Sequence, residues 1–338
     1  MRLKRLISAF ITCAMLVTFM PMQAFATDSE NLTPDAKTSA DELVTVQKTA
    51  ARVGDQKDTY EITLSVKTKD GVTPTPAAST DVVLVIDASG SMNEKGKLEN
   101  AQKAAEDFAE IVLGKEAQGE NHIAVVSYAE NASTKCGLSD KLNTVENAID
   151  AIRANGGTNI QAGIKAARDL LNGSAADNKV ILVLSDGEPT YSFQEIGTGT
   201  WYDYSDKWGG GHRRGKVKDV VYTGFDYNTV IGSGSDYSLT YGSIFHLYQG
   251  HSKITATCTC GKDHTKDFNV RHYENNGDPT IAEARYAKDT NCKIYSIYLG
   301  GKNDTNAQYT MKGIASGEDH FATTDKVEDL AALFKGIA

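Results

Sequence analysis

Cysteine is scarce in this chain, with five in 338 residues. Cys13 falls in an N-terminal apolar stretch, which leaves Cys136, Cys258, Cys260 and Cys292. Four thiols are too few to staple a chain of this length, so the fold must rest on a hydrophobic core. Positive charge is also in deficit, the formal net charge being −9. Removal of residues 1–26, with the three cations Arg2, Lys4 and Arg5 and no acid, takes it from −9 to −12. So acidic a balance argues against nucleic acid or an anionic membrane as the main partner. Beyond residue 26 no run is long and apolar enough to span a bilayer, and no tandem repeat is evident. Gly-x-Ser-x-Gly, P-loop and His-Glu-x-x-His signatures are missing too, which removes the usual sequence marks of hydrolase and nucleotide chemistry.

What is present begins with an export signal. Arg2, Lys4 and Arg5 precede the apolar stretch Leu6 to Met20, and Ala24-Phe25-Ala26 fits a small-x-small cleavage site. Residues 27–40 are polar, carry no hydrophobic period, and read as a flexible leader. Residues 41–71 read as a β segment: Leu43-Val44-Thr45-Val46 and Tyr60 to Lys67 alternate apolar with polar, with Gly54-Asp55 as a turn between them. Two strands alone are marginal in water, so this segment needs further pairing. Residues 72–80, rich in Pro and Thr, form a stiff linker.

From residue 81 to 338 strand and helix alternate. Near-continuous apolar runs at Asp81–Ile86, Ile123–Tyr128, Val180–Leu184 and Ile294–Leu299 suit strands covered on both faces. Helical spacing marks Leu98–Val112, Val145–Ile152, Ile160–Leu171, Ile281–Lys288, Asn306–Ile314 and Val327–Ile337. The predicted class is α/β, a doubly wound, mostly parallel sheet flanked by helices. A stretch at about 190–278, rich in Gly, Tyr, Ser and His, breaks the rhythm and is too long for an ordinary connection. It reads as an insertion, with Ser252–Thr259 and Lys266–Tyr273 as a hairpin inside it.

In such a sheet the ligand site lies at the carboxyl ends of the strands. Three loops end there with suitable oxygens: Asp87-Ala88-Ser89-Gly90-Ser91, Gly156-Gly157-Thr158-Asn159 and Ser185-Asp186-Gly187. Taken singly, each could be a helix cap or a turn. Together, on successive strand ends, they point to a small hard cation such as Mg²⁺ or Mn²⁺, which takes oxygen ligands. These residues resemble the metal-ion-dependent adhesion site of the von Willebrand factor type A domain family. The resemblance implies that Ser89 and Ser91 bind the metal directly and that Asp87 and Asp186 often act through water. Thr158 would change between direct and indirect contact. Two carboxylates offset about two units of cation charge, so the bound ion could still accept an acidic side chain from a partner, an attraction of roughly 4 kcal/mol near a protein surface.

Other signals leave alternatives open. Cys258-Thr259-Cys260 with His264 and His272 could bind zinc through thiolate and imidazole, or be disulfides or free thiols. Trp201 and Trp208 could contact a sugar or protein, or form a small core of the insertion. Glu188, near Asp186, could serve as a base, though the turn before Pro189 explains it equally well.

The expected function is that of a secreted or cell-surface binding protein. It would capture a protein ligand, such as a host matrix component or another surface or pilus subunit, through the cation. The β segment before the linker resembles that of Gram-positive pilus-tip adhesins. The chain ends at its last helix with no sorting signal, suggesting a piece of a longer surface protein. The alternatives are a scaffolding module of a surface assembly and a metal-dependent hydrolase.

Overall fold

The computed structural model describes residues 36–38, 44–52, 60–68, 78–114, 120–203, 215–239, 251–260, 264–301 and 303–337. The expected export signal, much of the linker and Trp208 lie outside the described residues. The chain divides into two compact units, Met1–Thr75 and Pro76–Ala338.

The first unit contains a three-stranded antiparallel sheet of β1 (Ala36–Thr38), β2 (Val44–Arg52) and β3 (Tyr60–Thr68). The alternation read at Val44–Val46 and Tyr60–Lys67 is thus a paired ladder, with Val46 opposite Val66. Ala36–Thr38 corrects the reading of 27–40 as flexible throughout. This short segment adds a third strand, Ala36 facing Gln47 and Thr38 facing Thr45.

In the second unit the elements run β4 (Thr80–Asp87), α1 (Lys97–Leu113), β5 (Asn121–Tyr128), β6 (Ala132–Ser139), α2 (Leu142–Asp150), α3 (Ile160–Asn172) and β7 (Asn178–Ser185). They continue with β8 (Tyr191–Asp203), β9 (Gly215–Gly232), β10 (His251–Cys258), β11 (Thr265–Arg271), α4 (Gly277–Asp289), β12 (Cys292–Leu299), α5 (Thr305–Ile314), β13 (Phe321–Thr324) and α6 (Leu330–Ile337). The main sheet has the order β13-β12-β7-β4-β5-β6. Every neighbouring pair is parallel except β5 and β6.

The apolar runs lie where a doubly covered sheet needs them. Successive residues of a strand point to opposite faces. Val82, Leu84 and Ile86 of β4 enter one core, while Val83 and Val85 enter the other. The first core is completed by α1, α2 and α6, with Phe108 and Phe334 meeting edge to face at 6.1 Å. The second is completed by α3, α4 and α5 through residues such as Ile164, Ala284 and Met311. Each fully buried Val, Leu or Ile contributes roughly 1.5–3 kcal/mol relative to exposure. Two cores sharing one sheet therefore hold the strand ends in place.

The insertion is itself a folded sheet, ordered β11-β10-β8-β9. Its β10–β11 pair is the hairpin expected from sequence, with Ile254 opposite Phe268. β8 runs parallel to β10 and antiparallel to β9. Trp201 is buried among Ala256, Cys258 and Phe268, so it belongs to the insertion's own small core. No helix among the described residues is long and apolar enough to cross a membrane.

Candidate metal centre

The site is built at the carboxyl rim of the two central strands. β4 and β7 are adjacent and in parallel register, Ile86 opposite Leu184, so Asp87 and Asp186 leave the sheet side by side. Asp87 is wholly buried. Its Oδ1 accepts the Ser89 backbone N–H at 2.7 Å, which folds the Asp-x-Ser turn back on itself. Its Oδ2 accepts the Ser185 hydroxyl at 2.7 Å and, more loosely, the Tyr128 phenol at 3.3 Å. Tyr128 also donates to the Leu184 carbonyl at 2.8 Å, bracing the rim from β5.

From there the oxygens form a chain. Ser89 Oγ and Ser91 Oγ are 3.0 Å apart, and Ser91 Oγ donates to Asp186 Oδ1 at 2.8 Å. Lys97, the first residue of α1, donates to Asp186 Oδ2 at 2.6 Å. Ser89 is buried and Ser91 is exposed, so the cluster opens to solvent on the Ser91 side.

The second loop is laced to the first. Gly90 N–H donates to the Gly156 carbonyl at 2.9 Å, and Asn155 N–H donates to the Ala88 carbonyl at 2.8 Å. Asn159 then caps α3 by accepting the Ala162 N–H at 3.0 Å. Thr158, between them, is buried and fixed from the insertion side. Its N–H donates to Thr190 Oγ1 at 2.9 Å, and its carbonyl accepts the Thr190 and Tyr191 N–H groups at 2.8 and 3.1 Å. The five expected residues therefore gather at one rim: Asp87, Ser89, Ser91 and Asp186 in direct contact, with Thr158 one loop bond away.

Two neighbouring carboxylates in a buried place are costly unless compensated. Burial, and then the charge of Asp186, push Asp87 up to about 6, against the lowering effect of its hydrogen bonds from Ser89 and Ser185. Burial and the Asp87 charge likewise hold the Tyr128 phenol well above its ordinary range. A divalent cation among these groups would relieve the repulsion. The donor set is hydroxyl and carboxylate oxygen only, which fits Mg²⁺ or Mn²⁺ and not a thiolate- or imidazole-seeking metal.

Sequence reasoning passed over Lys97, Tyr128 and Thr190, as well as the role of Ser185. Lys97 carried a usable signal, since a cation in the first turn of a helix opposes the helix dipole. The zinc grouping of Cys258, Cys260, His264 and His272 is not assembled. Cys258 and His264 flank the hairpin turn, whereas His272 follows the far end of β11, about 20 Å of strand away. There His272 stacks on Tyr222 at 3.7 Å and lies 3.7 Å from Glu195. Among the described residues no three His, Cys, Asp or Glu side chains converge as metal ligands. Among the described residues no disulfide joins Cys136, Cys258, Cys260 or Cys292. Glu188 accepts a hydrogen bond from Asn306 Nδ2 at 2.9 Å.

A family model for the von Willebrand factor type A domain matches residues 82–188, the stretch from β4 to just past the third loop. Over that stretch the chain is similar to the von Willebrand factor type A family. The minor fimbrium subunit Mfa5 of Porphyromonas gingivalis is 26% identical over 323 residues, which cover 87% of this chain and 25% of that protein. The chain thus spans about a quarter of that relative. The crystal structure of the von Willebrand factor domain of Mfa5, from a type V pilus tip, aligns with a TM-score of 0.53 at 22% identity, covering 77% of this chain and 94% of that one. The pilus adhesin SpaC of Lactobacillus rhamnosus GG aligns with a TM-score of 0.59 at 17% identity, covering 92% of this chain and 36% of that one. These likenesses establish a shared fold.

Proposed function

We propose that this chain is an exported surface protein that captures a protein partner at the type A rim. A divalent cation held by Asp87, Ser89, Ser91, Thr158 and Asp186 would provide the attachment point for an acidic side chain. The observation that carries the reading is the oxygen cluster itself. Two buried carboxylates and two serine hydroxyls converge beside a solvent opening, with hydrogen bonds that hold them before any partner arrives. Ser185 and the Ser89 N–H orient Asp87, and the lacing of Gly90 to Gly156 holds the Thr158 loop against it.

Display on a fimbria or pilus is supported by the similarity to Mfa5, described as a fimbrium subunit, and by the fold shared with pilus proteins. The partner would be a host matrix protein or another subunit of the same assembly. The test is capture from a panel of immobilised matrix proteins and pilus subunits, in Mg²⁺ and in EDTA, with the Asp87→Ala variant alongside. Capture that needs the metal and Asp87 is expected. Capture that ignores both sinks the mechanism, and metal binding with no capture across the panel favours a scaffolding module.

A further inference from the structure

Lys97 occupies a place that its own helix disfavours. It opens α1, where the helix dipole repels a cation. Its ammonium is nonetheless drawn inward, 2.6 Å from Asp186 Oδ2 and 3.5 Å from the Ser91 carbonyl. The Lys97 side chain is only 18% exposed, and that of Asp186 is fully buried. Both groups that the ammonium touches come from loops supplying the oxygen cluster. Ser91 Oγ already holds the other oxygen of Asp186, so the lysine completes that carboxylate's set of partners.

We propose that Lys97 is a built-in rival of the divalent cation for Asp186, which makes firm metal binding conditional on an anionic partner. This rests on reading the rim as a divalent-cation site. The charges supply the reason. Asp87 and Asp186 alone just offset a divalent ion's charge, so a partner's acid would find an open position on the ion but no net positive charge drawing it in. With Lys97 beside them the three side chains carry one net negative charge, and the loaded site keeps one positive. The lysine therefore weakens metal binding in the free protein and strengthens the attraction for a carboxylate afterwards. Its flexible stem lets the ammonium release Asp186 and stay near the rim. Lys97 is thus a positioning residue that sets the order of affinity.

The experiment titrates Mn²⁺ calorimetrically into the full chain and its Lys97→Met and Lys97→Arg variants. Each runs in sodium acetate and in sodium chloride of equal ionic strength, since screening alone alters such equilibria. Lys97→Met is expected to bind Mn²⁺ about ten-fold tighter in chloride, the scale of losing a partly buried ion pair. Lys97→Arg keeps the charge and stays close to the parent. Acetate should tighten Mn²⁺ binding several-fold in the parent and much less in Lys97→Met. A merely structural lysine would, when lost, leave metal affinity unchanged or weaker. That result, with superimposable circular-dichroism melts, overturns the inference and leaves the site reading intact. The parent protein alone is a second test, because Mn²⁺ affinity indifferent to acetate also overturns it. If the parent binds no Mn²⁺, the cation-site reading fails and the inference with it.

Discussion

Tyr191 lies against Gly157 so closely that a Cβ at residue 157 would fall 2.6 Å from Cε2 of the tyrosine ring. The first strand of the insertion is therefore seated on the loop that carries Thr158. Gly157→Ala should push the ring and that loop apart. The expected cost is about 1–3 kcal/mol, the usual price of overpacking, read from urea unfolding. Tyr191→Ala in the same chain should recover part of the loss, because it removes the obstacle. Equal stability of Gly157→Ala and the parent would contradict this packing.

Asp87 is held by three donors and pressed by the Asp186 charge. Asp87→Asn removes the repulsion and also weakens the acceptor set, two effects of opposite sign. In EDTA the net change in stability should be about 1 kcal/mol or less. In Mg²⁺ the parent should gain thermal stability, since a ligand that binds only the folded state stabilises it. The variant should gain none. A parent whose melting temperature is the same in EDTA and in excess Mg²⁺ would count against the site.

Glu195 is buried on β8, and burial pushes its carboxyl up to about 7. Ser252 Oγ donates to it at 3.1 Å, Tyr273 also bonds to it, and His272 lies 3.7 Å away. The folded value stands above the usual 4.5, so the contribution is complete below pH 4.5 and is lost as pH rises through about 7. Glu195→Gln should flatten this dependence and stabilise the protein at pH 8, by as much as about 3 kcal/mol. Melting curves from pH 5 to 8 check the sign. A steeper loss in the variant would refute it.

The four thiols allow a test of the declined zinc grouping. Cys260 is exposed, whereas Cys258 and Cys292 are buried. A thiol reagent on the native protein should label Cys260 first and the two buried cysteines only on unfolding. Purified protein dialysed against zinc should retain no stoichiometric metal that Cys258→Ala or His272→Ala abolishes.

The parts visible from sequence were those where one strong local pattern controls the outcome. Val82 to Ile86 and Ile181 to Leu184 are apolar at every position, and only a sheet covered on both faces buries them so fully. The five clustered oxygen-bearing residues were legible because three of them sit within five residues and the others end recognisable strands or open a helix. β6 was missed because it is an edge strand with Ser133, Thr134 and Lys135 exposed, so it shows no apolar run. β8 and β9 were missed because glycines and three register shifts interrupt the alternation. Lys97 was missed because its partner is 89 residues away.

The insertion departs from the rim at Tyr191 and returns at Gly277, yet these two points are joined. Ser192 Oγ donates to Asn276 Oδ1 at 2.8 Å, and Asn276 N–H reaches back to the Tyr237 carbonyl at 2.9 Å. A module whose two attachment points are fastened to each other can be exchanged as a cassette, since the scaffold beneath it need not change shape. Evolution or an engineer could thus graft a different surface beyond Tyr191 while keeping the Thr190 and Tyr191 bonds that hold the Thr158 loop.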